Sequence, residues 1–267
     1  MCYAPMNVKL SGRKTNARRF VPCGKCARCE QRKRSDWAFR LHWESKDHPF
    51  SWFSLLTYNE NTVPWLNTKT GEIVRLNPER PFDPQNINHI AELENDSEYQ
   101  RVPQKEDVQL FVKRLRRQQE YYCKKEGWEN TPIRYFIVSE YGERKTERPH
   151  YHAVLFGVNP YIQQKMVNTK AIWNNGIVTA KPLRTENPSG FLYLTKYLYK
   201  QQRIKDLPVR PFSMMSTQPY IGKRFEVYAK KYMYENRSMM IRSPTQLGVW
   251  QSIPQDRKST RLNSSHD

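Results

Sequence analysis

Two histidines in the segment Arg148-Pro-His150-Tyr-His152-Ala-Val-Leu-Phe-Gly157 have a spacing that suits metal binding. The segment is predicted to be a strand, and alternate side chains of a strand point to the same face, so His150 and His152 become neighbours. Glu140 ends the preceding predicted strand and would lie beside them if the two strands pair antiparallel. Two imidazoles and one carboxylate leave coordination positions open for a substrate oxygen, which suits Lewis-acid activation. A bare His-x-His pair also fits two half-buried sheet residues, so the spacing alone is weak evidence.

A second cluster, Tyr193-Leu-Thr-Lys196-Tyr197-Leu-Tyr-Lys200, is predicted to be helical. A helix turns about 100° per residue, so Tyr193 and Tyr197 share one face, with Lys196 and Lys200 beside them. The apolar residues on the opposite side would dock on the sheet; they are Phe191, Leu194 and Leu198. This arrangement presents two phenols together with two ammonium groups.

Together these two clusters predict the transfer of a phosphodiester to tyrosine. A phenol with a pKa of about 10 is a poor nucleophile at neutral pH. It becomes effective when cations stabilise the phenolate and a metal polarises the electrophile. The second tyrosine, four residues after the first, would allow a second cleavage while the first still holds DNA.

The cysteines form a third cluster. Cys23, Cys26 and Cys29 have metal-ligand spacing, and Cys2 could close a four-thiolate Zn²⁺ site. A Cys-x-x-Cys-x-x-Cys run also occurs in iron–sulfur proteins, and unliganded thiols are the third interpretation. Cys123 is isolated in the sequence, so we expect it to be a structural thiol.

The charge balance favours an anionic partner. The 267 residues include 45 Lys and Arg against 26 Asp and Glu, a net charge of +19, and 13% of them are aromatic. Nucleic acid and anionic membrane surfaces are the usual partners of so basic a protein, and aromatic rings that can stack on bases favour nucleic acid. No stretch approaches the roughly 18 apolar residues of a membrane span, and the first residues lack an apolar signal-peptide core. We therefore expect a cytosolic protein with no membrane partner.

The elements that must position these clusters predict an α+β domain, with an antiparallel central sheet carrying the His-x-His strand and helices covering it. Strands are predicted over 51–58, 134–141, 148–157 and 176–181. Helices are predicted over 29–45, 107–122, 160–173 and 191–203. Residues 60–103 are rich in Pro, Asn and Glu, which predicts an irregular insertion.

One predicted helix, 107–122, has a basic side opposite its apolar one. The residues of that side are Lys113, Arg114, Arg116 and Arg117. Such a side is either a solvated face or a phosphate-contacting one, and the charge of the whole chain favours contact with nucleic acid. We count these residues, together with Arg148 and Lys200, as candidate DNA contacts.

The predicted organisation has four parts. Residues 1–50 form a basic cysteine-rich module, 51–203 the catalytic domain, and 204–255 a basic C-terminal extension that we expect to be truncated. Residues 256–267 resemble the in-frame translation of a common short-read sequencing adapter, so we expect them to be an artefact.

The motifs resemble those of the HUH endonucleases. His150-Tyr151-His152 followed by apolar residues, with Tyr193-x-x-Lys196-Tyr197 downstream, is similar to the rolling-circle replication initiators of small single-stranded DNA phages of the gokushovirus type. In that family the middle residue of the histidine motif is hydrophobic, whereas here it is Tyr151. The segments 53–58 and 22–40 also resemble the family, so the likeness covers residues 1 to about 205.

This resemblance implies an enzyme that uses Mg²⁺ or Mn²⁺ to nick and rejoin single-stranded origin DNA and becomes attached to the 5′-phosphate. His150 and His152 would be metal ligands, Tyr193 and Tyr197 nucleophiles, and Lys196 an aid at the phosphate. The third ligand varies in the family, so Glu140 has Glu143 and Glu147 as alternatives. The chain lacks a Gly-x-x-x-x-Gly-Lys-Ser/Thr motif, so unwinding would require a host helicase, and host replication machinery in the bacterial cytoplasm would complete the process.

Two other functions compete with this prediction. A basic, non-catalytic DNA-binding or packaging protein would have the same charge and a purely structural histidine pair. A transposase or plasmid relaxase of the same superfamily is disfavoured by the two-tyrosine helix and the cysteine-rich start.

Overall fold

The computed structural model of the chain describes residues 2–9, 18–75, 84–142, 148–185, 189–197 and 207–236. Its strands are β1 (Met6–Lys9), β2 (Arg18–Val21), β3 (Ser51–Tyr58), β4 (Trp65–Asn67), β5 (Ile73–Val74), β6 (Tyr99–Arg101), β7 (Arg134–Tyr141), β8 (Pro149–Phe156), β9 (Gly176–Pro182) and β10 (Ser213–Met215). Its helices are α1 (Ala27–Ser45), α2 (Pro84–Asn95), α3 (Lys105–Glu126), α4 (Pro160–Asn168), α5 (Ser189–Thr195) and α6 (Arg224–Asn236).

A five-stranded antiparallel sheet with the order β10-β7-β8-β3-β9 forms the centre of the fold. The strands predicted over 51–58 and 134–141 have the observed bounds. The α+β fold class with an antiparallel central sheet is thereby confirmed. Among the described residues, no helix has the length and apolarity that crossing a membrane requires.

Alternation of side chains gives the sheet two buried faces. The Tyr151 face, which also carries Ala153 and Leu155, packs in one core with Phe111 of α3 and Ile162 of α4. The His152 face has a separate core, whose members include Val138, Val154, Phe156, Ala38 and Leu41 of α1, and Phe191 and Leu194 of α5. Helices therefore cover both faces, and α1 and α5 lie on the face that carries the histidines.

Residues 60–103 are more ordered than predicted. They form a second sheet, β5-β4-β6, and the helix α2. Trp65 of β4 and Leu93 of α2 belong to the same core as Tyr151. The prediction of an irregular insertion was wrong because strands of two or three residues are too short to show an alternating pattern.

Two predicted helices have different bounds. The helix predicted over 160–173 ends at Asn168, and the buried Ile172 and Trp173 follow in a turn. The helix predicted over 191–203 begins at Ser189 and is assigned to Thr195. Beyond residue 197, the rest of that prediction lies outside the described residues, as do Lys200, Glu143, Glu147 and residues 256–267.

Packing crosses the divisions predicted at residues 50 and 203. Helix α1 shares the core of the His152 face, and β10 pairs with β7 at the edge of the central sheet. The buried Glu44 of α1 accepts hydrogen bonds from Arg134 and, at 2.7 Å, from the backbone N–H of Gly222. The amino-terminal helix, the sheet and the segment after residue 207 are thus joined directly.

Gly222 tests this junction, because its φ is +78° and an added Cβ would lie 2.7 Å from the backbone oxygen of Arg40. We expect Gly222→Ala to lower the free energy of unfolding by about 3 kcal/mol, through both left-handed strain and the clash with α1. Gly71 has a φ of +77°, and a Cβ added there would have nothing within 4 Å, so Gly71→Ala should cost only about 1 kcal/mol. Urea denaturation measures both, and equal losses would contradict the close packing of Gly222 on α1.

Candidate metal and tyrosine site

The antiparallel register of β7 and β8 brings the predicted ligands together. Glu140 lies directly opposite His150, and Val138 lies opposite His152. Oε2 of Glu140 is 2.7 Å from Nε2 of His152 and 3.2 Å from Nε2 of His150. Glu140 is only 3% exposed and His152 only 8%. The three donors form one buried group on the His152 face, so Glu140 is the described carboxylate that lies with the histidines.

The spacing of these donors fits one divalent ion. Ligands at about 2.1 Å from a metal in cis positions lie about 3.0 Å from each other, close to the two separations between Glu140 and the imidazoles. Nδ1 of His150 lies 3.4 Å from the backbone oxygen of Arg148. With the proton on Nδ1, this contact leaves the Nε2 lone pair directed towards Glu140.

The two tyrosines of α5 lie against this group. The ring of Tyr197 stacks on His152, with centroids 3.7 Å apart and an interplanar angle of 13°. The Tyr197 hydroxyl donates to the Tyr193 hydroxyl at 2.7 Å. Nζ of Lys196 is 4.0 Å from the ring centroid of Tyr193 and 4.9 Å from that of Tyr197. The structure therefore brings two phenols and an ammonium group to the histidine cluster.

The exposure of the tyrosines differs from the prediction that both lie on an open face. Tyr193 is 52% exposed, but Tyr197 is 8% exposed and belongs to the buried core with Phe191 and Leu194. The reason is helical phase: Tyr197 is three residues after Leu194, about 60° from it around the helix axis. Tyr197 therefore lies at the boundary between the apolar and the polar side of α5.

Phe53 is a member of the site that the chemical motifs did not single out. Its ring is parallel to His152, with centroids 6.0 Å apart, and meets Tyr193 edge-on at 6.3 Å. The pairing of β3 with β8 puts Phe53 opposite Val154, on the same face as the histidines. Strand phase could have indicated this position if the pairing of β3 had been known.

Tyr151, the residue between the histidines, belongs to the opposite face. Its hydroxyl hydrogen-bonds with the Tyr58 hydroxyl at 2.8 Å and exchanges two hydrogen bonds with the backbone of Gln104, while Tyr58 donates to Asp107. Burial raises the pKa of Tyr151 above its ordinary value. A tyrosine is accommodated at this buried position because its hydroxyl is satisfied.

The predicted basic contacts of α3 do not lie at the histidine cluster. Helix α3 packs on the Tyr151 face of the sheet. Arg114 donates to Asn174 at 2.7 Å, Arg116 donates to the backbone oxygen of Ile133 at 3.1 Å, and Lys113 and Arg117 are exposed. Arg148 forms an ion pair with Glu60 and donates to the backbone oxygen of Tyr58 at 3.2 Å. A DNA strand that contacts both α3 and the histidines would have to pass around the sheet.

The predicted cysteine cluster assembles at the start of α1. Cys2, Cys23, Cys26 and Cys29 lie together, with all four sulfur atoms within 4.8 Å of one another. Hydrogen bonds, the largest of them involving the backbone of Tyr3, lower the pKa of Cys26 to about 6. Cys123 is buried apart from them, in contact with the backbone oxygen of Glu129 at 3.6 Å.

A carboxamide at position 140 tests the metal site. We expect Glu140→Gln to weaken Mn²⁺ binding by at least tenfold, on the order of the loss from removing a supporting group, because it removes the negative ligand and keeps its shape. The affinity is measured by electron paramagnetic resonance of free Mn²⁺ during titration. Glu98→Gln, which alters an exposed carboxylate paired with Lys69, is the matched control. Unchanged affinity in Glu140→Gln would contradict the assignment.

Comparisons with known proteins agree with the resemblance inferred from the motifs. The model of a family described as "Replication-associated protein ORF2" matches residues 93–202, the segment that contains Glu140, both histidines and both tyrosines. Replication-associated protein ORF4 of Chlamydia phage 1 is 25% identical over 146 residues, 55% of this chain and 26% of that protein. Replication-associated protein VP4 of Bdellovibrio phage phiMH2K is 26% identical over 134 residues, 45% of this chain and 41% of that protein. The chain thus spans less than half the length of these relatives.

A solved structure gives a weaker likeness. The N-terminal nuclease domain of minute virus of mice non-structural protein-1, described with Zn²⁺ in its active-site pocket, aligns with 83% of this chain and 89% of its own. The identity is 13% and the TM-score 0.21, values too low to carry an argument. The sequence matches identify the chain as a relative of the phage replication-associated proteins, with the signature of the ORF2 family in residues 93–202.

Proposed function

We propose that the protein is a phage replication initiator that nicks and rejoins single-stranded origin DNA through a covalent 5′-phosphotyrosine. The observation that carries the proposal is the stacking of Tyr197 on His152, which joins the tyrosine pair to the Glu140, His150 and His152 group. The matches to phage replication-associated proteins support the same role. The site itself resembles that of an endonuclease because nucleophile and metal ligands occupy one surface.

The reaction is a balanced transesterification. The phenol oxygen attacks phosphorus, a P–O(tyrosine) bond forms, and the bond from phosphorus to the 3′ oxygen breaks. The phenol loses its proton and the leaving 3′ oxygen gains one. The tyrosine then carries the 5′-phosphate, and attack by a 3′-hydroxyl reverses the step and rejoins DNA without an external energy source.

The two tyrosines have different roles in the first cleavage. Tyr193 is the exposed phenol, and its oxygen accepts the hydrogen bond of Tyr197. That bond and the ammonium of Lys196 stabilise a phenolate at Tyr193 better than at Tyr197. We therefore assign the first attack to Tyr193 and the second to Tyr197.

Glu140, His150 and His152 would hold the divalent ion. A bound ion supplies Lewis-acid polarisation of the phosphoryl oxygen. The mixture of imidazole and carboxylate donors suits Mn²⁺ better than Mg²⁺, which prefers oxygen ligands. Burial of Glu140 and His152 excludes water and fixes the ligand geometry before substrate binds.

The remaining parts of the proposal concern the cell. A chain without a nucleotide-binding loop needs a host helicase to unwind duplex DNA, and host replication machinery to copy it, so we infer that the protein acts in the bacterial cytoplasm. Lys113, Arg114, Arg116, Arg117, Arg148 and Lys200 are retained as proposed DNA contacts away from the reacting atoms.

Covalent adduct formation tests the function. Incubation of the protein with single-stranded phage-origin DNA and Mn²⁺ should give a protein–DNA adduct that survives denaturation, as seen by gel electrophoresis. Tyr193→Phe should reduce the initial rate of adduct formation by at least about a hundredfold, because it removes the attacking oxygen. Tyr197→Phe should reduce it less, by about tenfold, because it removes only a hydrogen bond.

Tyr234→Phe is the matched control, since Tyr234 is 89% exposed on α6, and it should not change the rate. An adduct that persists in the Tyr193→Phe/Tyr197→Phe double variant would refute the assignment of the nucleophiles. No adduct with the unaltered protein, together with tight DNA binding, would favour the non-catalytic DNA-binding or packaging protein.

A further inference from the structure

The amino-terminal ribbon, formed by β1 and β2, concentrates positive charge. The chain has no acidic residue before Glu30, whereas its basic residues in that stretch are Lys9, Arg13, Lys14, Arg18, Arg19, Lys25 and Arg28. The register sets Lys9 opposite Arg18 and Asn7 opposite Phe20. Like charges in directly opposed positions repel each other, so the ribbon favours an anionic ligand between its cations.

One surface of the ribbon combines cations with an aromatic ring. Residues paired across an antiparallel ladder, and alternate residues along a strand, share a face, so Lys9, Arg18 and Phe20 lie together. All three are exposed, Phe20 by 68%. An exposed ring flanked by cations matches single-stranded DNA, whose bases stack on aromatic side chains while its phosphates contact lysine and arginine. Duplex DNA offers no free base face to such a ring.

The ribbon needs an anchor. Among the described residues, β1 and β2 pack mainly on each other, and their side chains are exposed apart from a half-buried Val21. A two-stranded hairpin without further packing is only marginally stable in water. Cys2 precedes β1 and Cys23 follows β2, so the cysteine cluster closes the base of the ribbon. Cys26 and Cys29 join that base to the first turn of α1.

The geometry of the cluster is that of a tetrahedral four-sulfur site. The sulfur of Cys2 lies 3.4 Å from that of Cys23 and 3.7 Å from that of Cys26, and the sulfurs of Cys23 and Cys29 are 4.0 Å apart. Zn–S bonds of about 2.3 Å in a tetrahedron give S–S separations of about 3.8 Å. These distances are far too long for disulfides, which require about 2.05 Å.

The surrounding backbone also favours thiolate ligands. The backbone N–H of Cys23 donates to the sulfur of Cys2 at 3.3 Å, and that of Cys26 donates to the sulfur of Cys23 at 3.4 Å. Gly24 forms the turn between these ligands with a φ of +77°, and Lys33 of α1 donates to its oxygen at 3.1 Å. Backbone donors and nearby cations stabilise the deprotonated sulfur that binds metal.

We propose that Cys2, Cys23, Cys26 and Cys29 bind one structural Zn²⁺, which fixes the amino-terminal ribbon to α1 as a binding arm for single-stranded DNA. Helix α1 also packs, through Ala38 and Leu41, on the His152 face, so the same rigid element carries the arm and covers the site. The choice of DNA as ligand rests on the proposed function. The zinc centre does not.

Metal analysis tests the zinc centre. The full chain, purified from cells grown with zinc, should contain one zinc per molecule that survives dialysis, measured by inductively coupled plasma mass spectrometry after the His-site metal is displaced by Mn²⁺. Cys26→Ser should lose this zinc, whereas Cys123→Ala, which changes the isolated buried thiol, should retain it. Iron with visible absorption near 400 nm, or no bound metal, would overturn the proposal.

A second measurement covers the case in which the cysteine variant does not fold. Removal of zinc from the unaltered protein with a thiol-compatible chelator should raise hydrogen exchange of residues 2–9 and 18–21 by at least tenfold, because the ribbon loses its anchor. Strands β3, β7 and β8 should keep their protection. Unchanged exchange in the ribbon would refute its dependence on zinc.

DNA binding tests the arm, measured in the Tyr193→Phe/Tyr197→Phe background so that no cleavage interferes. Fluorescence anisotropy with a labelled mixed-sequence oligonucleotide should show that Phe20→Ala weakens binding by roughly tenfold. The pair Lys9→Gln/Arg18→Gln should reduce the slope of log K against log salt by about 1.4. The matched control Lys113→Gln/Arg117→Gln removes the same charge from α3 on the other face of the sheet, and should have a smaller effect.

Equal effects of the two charge pairs, or full affinity in Phe20→Ala, would overturn the arm. These results are independent of catalysis: absence of the covalent adduct would refute the proposed function and leave the zinc content and the DNA affinity of the ribbon unchanged.

Discussion

The register of β7 against β8 is the constraint on which the site depends. Glu140 lies opposite His150 only in this register, and a shift of one residue would send its carboxylate to the other face of the sheet. Burial on both faces fixes the register: the apolar residues in phase with Glu140 pack under α1 and α5, and those out of phase pack under α3 and α4. The metal ligands are thus positioned by the same alternation of apolar residues that folds the sheet.

The two faces of the sheet divide stability from chemistry. On the Tyr151 face, the buried phenols of Tyr58 and Tyr151 hydrogen-bond to each other, to Asp107 and to the backbone of Gln104. Such a satisfied polar network in a large apolar core holds β3, β8 and α3 in one arrangement. On the His152 face, the same two strands present Phe53 and the imidazoles. The rigidity of one face is what allows the other to keep a preorganised set of ligands.

Much of this could be predicted from the sequence, because strand alternation and helical spacing are local. They were sufficient to find β3 and β7 with their ends, to group Glu140 with the histidines, and to bring Tyr193 and Lys196 together. What depends on long-range packing was not predicted. The burial of Tyr197 requires knowledge of how α5 rolls on the sheet, and Phe53 enters the site through a pairing with residues about a hundred positions away. The basic side of α3 is a further case: composition indicated a phosphate-contacting surface, but only the fold reveals that it belongs to the opposite face.

The stacking of Tyr197 on His152 also sets an order of events. With its centroid 3.7 Å from the imidazole and its side chain 8% exposed, the Tyr197 ring cannot carry a bulky phosphodiester chain where it lies. It must first swing away from the metal ligand, whereas Tyr193 can accept the chain in place. The protein therefore has one phenol that is open at rest and one that is held in reserve, and the strand bound to the first must move before the second is released. The aromatic contact acts as a mechanical latch between two successive cuts.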